Sequence, residues 1–405
     1  MKLHKNLVEA VVEGLGLIFN EGYYADKVAE RQLKKDKRWG ARDRAFIAET
    51  LYDIVRWRRL YAEIAEVQSP YTQQGLRRLF AVWAVLHQIA LPDWGDYFEA
   101  VSEHKVKEQF GAFSKVRKLC ESVPDWLDAA GVAELGAAFW EQELRALNVQ
   151  APVVLRANRL KTTVAQLCER LAAEGVEAST LNDYPDALRL TERTNVFKTK
   201  AFAEGLFEVQ DASSQRVAPF LQLDSSVKRV IDCCAGAGGK TLHLAALMQN
   251  KGQILAMDIY EAKLQELKRR ARRAGAFNIE TRLVEPQQLK RWRGTADRVL
   301  IDAPCSGLGV LRRNPDAKWK LTPEFLDEIR TTQQTVLQQY AKLLKPSGKL
   351  VYATCSILPS ENHKQVEAFL ASEAGKGFVL EEEQCIWAHE SGYDGFYMAR
   401  LAISE

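Results

Sequence analysis

Apolar positions along this chain change their spacing twice, and each change marks a different kind of element. In RDRAFIAETLYDIVRWRRLYAEI, residues 42–64, Ile47, Leu51, Ile54 and Val55 recur at the spacing of one helix face. Breaks at Ser69-Pro70, Leu91-Pro92 and Val123-Pro124 separate further helical stretches, so residues 1–145 read as an all-helical domain. The texture then shifts. APVVLRANRLKTTVAQLCERLAAEGVEASTL predicts a strand, a helix closed by Gly175, and a second strand, and DALRLTERTNVFKTKAFAEGLFEVQD continues in short strands. Residues 146–220 therefore read as a small α+β module.

Over residues 221–405 strands alternate with helices, the pattern of a doubly wound, mostly parallel α/β sheet. Strands are predicted at KRVIDCC, QILAMDI, TRLVE, ADRVLIDAP and KLVYATC, with helices at GKTLHLAALMQ, EAKLQELKRRARRAG and TPEFLDEIRTTQQTVLQQYAKLL between them. GFVLEEEQ and GFYMARLAI predict a closing hairpin and an antiparallel edge.

Composition narrows the class without naming it. Of 405 residues, 47% are hydrophobic and 27% charged, and the formal charge of +3 makes any nucleic-acid surface a matter of local clustering. Seven cysteines, an odd number with no CxxC pair, argue against a disulfide scaffold and a zinc ribbon and for a reducing cytoplasm. No metal site is predicted. The most apolar helical run, LFAVWAVLHQIALP, is too short to span a bilayer, so no membrane partner is expected.

Two kinds of strand ending carry the chemistry. The first is DCCAGAGGKT, residues 232–241. A Walker A loop would need glycine where Cys234 stands, and a dinucleotide fingerprint would need its third glycine where Thr241 stands. What remains, Asp232 followed by Gly236-Ala237-Gly238, resembles the cofactor loop of class I S-adenosylmethionine-dependent methyltransferases. Asp258 and Glu285 close the next two strands, at the sheet end where such folds bind ligands.

The second kind is IDAPCSGLG, residues 301–309, and YATCSILPSEN, residues 352–362. A buried strand needs neither a cysteine and serine at its end nor a following Pro-Ser-Glu-Asn turn. A thiolate adding to carbon 6 of cytosine makes carbon 5 nucleophilic toward a sulfonium methyl group, and cysteine is also a competent leaving group. Cys305 and Cys355 follow strands expected to be neighbours, and Asp302 stands three residues before Cys305. Cys120, Cys168 and Cys385 read as structural, and Cys233 and Cys234 as small residues of the cofactor loop.

Together, DCCAGAGGKT, DAPCSGLGVLRRNPDAKW and YATCSILPSEN resemble the Sun-type (RsmB-like) RNA cytosine-5 methyltransferases over residues 150–405. That resemblance implies a Rossmann-like class I methyltransferase domain, S-adenosylmethionine as cofactor and RNA, ribosomal RNA first, as substrate. It makes Cys355 the nucleophile, Cys305 the residue that aids release, and Asp302 a contact to base and cofactor. It assigns the cofactor to Cys234, Ala235, Gly236, Ala237, Gly238, Gly239, Lys240, Asp258, Glu285 and Asp302. The family loop usually reads Cys-Ala-Ala-Pro-Gly-Gly-Lys, so Gly236 and Ala237 depart from it, and Glu285 stands where aspartate is usual.

For RNA, Arg312, Arg313, Lys318 and Trp319 offer cations and a stacking ring directly after Cys305. The α+β module resembles the family's auxiliary RNA-binding domain through LRANRLKTT and VQDASSQ, and GARDRAFIAETLYDIVRW resembles a NusB-like RNA-binding domain. The chain is expected to be a cytoplasmic monomer. Alternative readings are a transfer-RNA cytosine-5 methyltransferase and a non-catalytic RNA-binding assembly factor; a P-loop NTPase is weakened by the missing glycine.

Overall fold

The computed structural model describes residues 2–98, 101–285 and 289–404. The chain divides into two compact units, Met1–Val149 with Leu311–Pro323, and Gln150–Val310 with Glu324–Glu405. The first unit is helical. Its amphipathic helices, including Lys5–Phe19, Ala41–Arg56 and Gln73–Leu86, bury Val11, Leu15, Ile47, Leu51, Leu79 and Phe80 in one core. Thr72 caps the third of these by accepting from the Gly75 amide at 3.0 Å. Among the described residues, no helix is long and apolar enough to cross a membrane.

The second unit holds two sheets. Strands β1 (Val154–Ala157), β2 (Ala178–Leu181), β3 (Tyr184–Leu190) and β4 (Phe207–Val209) form an antiparallel sheet in the order β2-β3-β1-β4. The helix Val164–Ala173 buries Leu167 and Leu171 in this module's core with Leu155 and Leu188.

The larger sheet comprises β5 (Arg229–Asp232), β6 (Gln253–Asp258), β7 (Ile279–Leu283), β8 (Ala296–Asp302), β9 (Leu344–Thr354), β10 (Phe378–Ile386) and β11 (Phe396–Ile403), in the order β10-β11-β9-β8-β5-β6-β7. β5 through β9 pair in parallel, and β11 joins β9 and β10 antiparallel. Alternation along the strands builds two cores. Val230, Ile254, Leu300 and Val351 pack with Leu242 and Leu267, whereas Ile231, Leu255, Val299 and Leu350 pack with Leu337 and Tyr340. Helices Gly239–Leu247 and Glu261–Ala274 thus cover one face, and Pro323–Ala341 the other.

Strand order reverses between β5 and β8. At such a switch point the loops leaving two adjacent strands diverge to opposite faces and open a crevice at the carboxyl edge. The glycine turn follows β5 and the Pro-Cys turn follows β8, so both border that crevice.

Candidate active site

The glycine turn is fixed by its neighbours on the sheet. The Cys233 amide donates to the Leu300 carbonyl and the Ala235 amide to the Met257 carbonyl, each at 2.9 Å. Asp258 ties this turn to the next: its Oδ2 accepts from the Gly236 amide at 2.8 Å and its Oδ1 from the Tyr260 amide at 2.9 Å. Gly238 opens the helix Gly239–Leu247 with φ +89°, and a Cβ there would stand 2.6 Å from Leu267 Cγ. Only glycine meets both conditions.

Asp232 lies beneath this turn, 1% exposed. Thr241 Oγ1 donates to its Oδ2 at 2.7 Å, while its Oδ1 is buried without a partner. Burial, reinforced by the charge of Asp302, pushes its pKa up to about 7. Burial also raises the Cys234 thiol pKa, with Asp232, Asp302 and Asp258 adding to it, so this sulfur stays protonated.

Cys305 and Cys355 meet across the ends of β8 and β9. Asp302 pairs in register with Ala353, and the Ala303 amide donates to the Ala353 carbonyl at 2.8 Å. Both chains then turn, and Cys305 Sγ lies 3.3 Å from Cys355 Sγ. The hydrogen bond with Cys355, followed by burial, pushes the Cys305 thiol pKa well up. At this separation either sulfur can donate to the other. Lys240 Nζ donates to Asp302 Oδ2 at 2.7 Å and sits 5.1 Å from the centre of the Phe396 ring. Burial opposes the ammonium, but the charge and hydrogen bond of Asp302, with a contribution from Cys355, outweigh it and hold the Lys240 pKa above its ordinary value.

The residues flanking the thiols were absent from the sequence-derived site. Ser306 and Ser356 each donate from Oγ to Glu361 Oε1 at 2.5 Å, and the Ser306 amide donates to Glu361 Oε2 at 2.8 Å. Thr354 Oγ1 donates to Asn362 Oδ1 at 2.5 Å, and Asn362 Nδ2 to the Ser356 carbonyl at 3.0 Å. The signal was in the sequence: a serine after each cysteine, and a Pro-Ser-Glu-Asn turn whose Glu361 and Asn362 are buried here.

The segment after Cys305 packs within the helical unit. Arg312 and Lys318 are buried, at 3% and 1% exposure. Arg312 donates to the Ala146 carbonyl at 2.7 Å, and Lys318 Nζ to Asn148 Oδ1 at 3.1 Å. Trp319 Nε1 donates to the Val55 carbonyl at 2.7 Å, and its ring packs on the helical core. Carbonyls and apolar packing engage these side chains and anchor their segment within the helical unit. Arg313 is half-buried in the same segment, and Glu285 is exposed two residues past the end of β7.

The family model described as 16S rRNA methyltransferase RsmB/F matches residues 220–402, and the ferredoxin-like domain of RsmF/B-like methyltransferases matches residues 123–197. A protein of Bacillus subtilis (strain 168), named probable ribosomal RNA small subunit methyltransferase B, is 32% identical over 305 residues, covering 71% of this chain and 68% of that one. The chain belongs to the RsmB/F methyltransferase family. A Synechocystis relative of the same name is 36% identical over 298 residues, 69% of this chain, and the match spans 66% of its length. The solved structure titled "Crystal Structure of PH0851" superposes with TM-score 0.82 at 25% identity, covering 99% of both chains.

RsmB/F membership implies S-adenosylmethionine, and the residues present fit such a ligand. A Cβ at Gly236 would enter open space, the partnerless Asp232 Oδ1 is an acceptor suited to an ammonium group, and Asp258 is the strand-end acid suited to ribose hydroxyls.

Proposed function

We propose that the chain is an S-adenosylmethionine-dependent RNA (cytosine-5) methyltransferase that acts in the cytoplasm on the RNA of the small ribosomal subunit. The observation that carries this reading is the 3.3 Å separation of two thiols beside the Lys240–Asp302 pair, at the edge of a glycine turn. One thiol fits many roles. Two, with an acid, fit a reaction that both forms and breaks a carbon–sulfur bond.

In this reading Cys355 attacks as the thiolate, bonding to carbon 6 and pushing the ring electrons toward carbon 5. Asp302 stabilises a proton at ring nitrogen 3 while charge develops there. Lys240 holds Asp302 in place through its 2.7 Å hydrogen bond and keeps positive charge near Cys355. The bound cofactor supplies an electrophilic methyl group. After carbon 5 is methylated, transfer of its proton to water restores the double bond as the carbon 6–sulfur bond breaks and the Cys355 thiolate leaves, with Cys305 assisting release. Cys234, Ala235, Gly236, Ala237, Gly238, Gly239, Asp258 and Glu285 border the proposed cofactor. A base within a helix would first have to be unstacked to reach the thiols.

The test uses methyl-labelled cofactor and small-subunit RNA, with nucleoside mass spectrometry of the product. Label in 5-methylcytosine is expected; label in another nucleoside, or none, overturns the reading. Cys355→Ala should abolish both methylation and any covalent RNA adduct on denaturing gels. Cys305→Ala should accumulate the adduct, and an exchange of the two phenotypes would reverse the assigned roles.

A further inference from the structure

We propose that Glu361 is a positioning residue: its carboxylate ties together the turns that carry Cys305 and Cys355 and holds the two sulfurs at working separation. This rests on the cytosine-5 reading for its consequence, but not for its geometry. Glu361 is 0% exposed. Oε1 accepts from Ser306 Oγ and Ser356 Oγ, both at 2.5 Å, and Oε2 from the Ser306 amide at 2.8 Å and Gln333 Nε2 at 3.1 Å. All four donors are neutral, so the carboxylate is solvated by a preformed shell of hydrogen bonds. A buried carboxylate is a poor choice for filling a core, since burial penalises its charge. It is a good choice for gathering donors, because charge-assisted O–H bonds are short and strong.

The placement of the donors points to a role at the sulfurs. Each serine directly follows a cysteine, so a shift at either tie becomes a shift of the adjacent thiol. The serine oxygens are 3.3 Å apart, the same separation as the sulfurs beside them. Each serine Oγ also accepts from the amide two residues on, Leu308 at 3.4 Å and Leu358 at 3.2 Å, which fixes the turn around it. Gln333 extends the clamp to the helix Pro323–Ala341, donating also to the Pro304 carbonyl at 2.9 Å. Tyr352, from β9, donates to the Glu361 carbonyl at 2.8 Å and anchors its backbone.

An amide at position 361 keeps one acceptor oxygen and replaces the other with an NH2 group that only donates. Glu361→Gln would therefore set its NH2 group against a serine donor. In the full chain this variant should lower kcat about 100-fold, the scale of an ångström-level misplacement at a reacting atom. The KM for RNA and the calorimetric Kd for S-adenosylmethionine should stay within about threefold of the parent, as expected when only transition-state geometry is lost.

A readout independent of methylation is phenylarsine oxide, which binds tightly only where two thiols lie close together. The parent should bind it, Cys305→Ser should not, and Glu361→Gln should bind at least about tenfold more weakly, the scale of one lost charged hydrogen bond. Ser306→Ala and Ser356→Ala each cut one tie; they should reduce kcat and arsenical affinity in parallel and decide the matter if Glu361→Gln does not unfold cooperatively. Folded serine variants with parental kcat and parental arsenical affinity would overturn the proposal. So would a loss of stability with kcat per folded molecule unchanged. If the parent forms no 5-methylcytosine, the cytosine-5 reading fails, while the arsenical series still reports on the clamp.

Discussion

Burial sets the protonation of Asp232, whose pKa is pushed up to about 7 from an ordinary 3.8. The folded chain therefore holds this proton more tightly than the unfolded one between those values. The stability that protonation lends is fully present below the unfolded pKa and is lost as pH rises through the folded one. Asp232→Asn keeps an acceptor for Thr241 but cannot ionise, so its urea midpoint relative to the parent should rise between pH 5 and pH 8; a constant difference would exclude the raised pKa. At this scale the sequence was legible for residues whose chemistry is rare at a strand end. Asp302, Cys305 and Cys355 stood out for that reason. The Pro-Ser-Glu-Asn turn stood out too, but nothing local reports that Glu361 is buried or that it reaches both cysteine turns.

Elements were legible where period and punctuation agreed. The five strands and three helices expected over the larger sheet are present, as is the closing hairpin. β9 begins at Leu344, five residues before the expected KLVYATC, because Pro346-Ser347-Gly348 reads as a turn; the pairing with β8 shifts register between Ala296 and Arg298. Gly309 shows what an element can demand of one residue. Its amide donates to the Cys355 carbonyl at 2.9 Å, and a Cβ there would lie 2.2 Å from the Gly395 carbonyl oxygen and 2.8 Å from that of Cys355. Gly309→Ala should destabilise the fold by about 1–3 kcal/mol, the usual range for overpacking, and shift the Cys355 turn. Urea denaturation alongside the methyl-transfer rate would check both effects.

On the scale of the whole molecule, the chain leaves the second unit after Val310, contributes Leu311–Pro323 to the helical unit, and returns. Within that segment burial, with repulsion from Arg56 next, lowers the Lys318 pKa well below its ordinary value, consistent with an amine serving a carbonyl-lined niche. Trp319→Ala should destabilise the helical unit by about 2–4 kcal/mol, somewhat below the ~3–5 kcal/mol of a fully buried aromatic because this ring is only partly buried. Its urea midpoint should fall, whereas a purely RNA-facing tryptophan would leave the midpoint unchanged and reduce only RNA affinity.

The sequence by itself determined the class of the large sheet, and it singled out the glycine turn and the two thiols with their acid. Those properties are written in local period and in residue types whose chemistry is seldom used for packing. Tertiary structure alone decided that Arg312, Lys318 and Trp319 are anchors in the helical unit, and that Glu361 gathers both cysteine turns. A charge run looks the same whether water or a carbonyl receives it. Burial depends on residues distant in sequence, and only the folded chain brings them together.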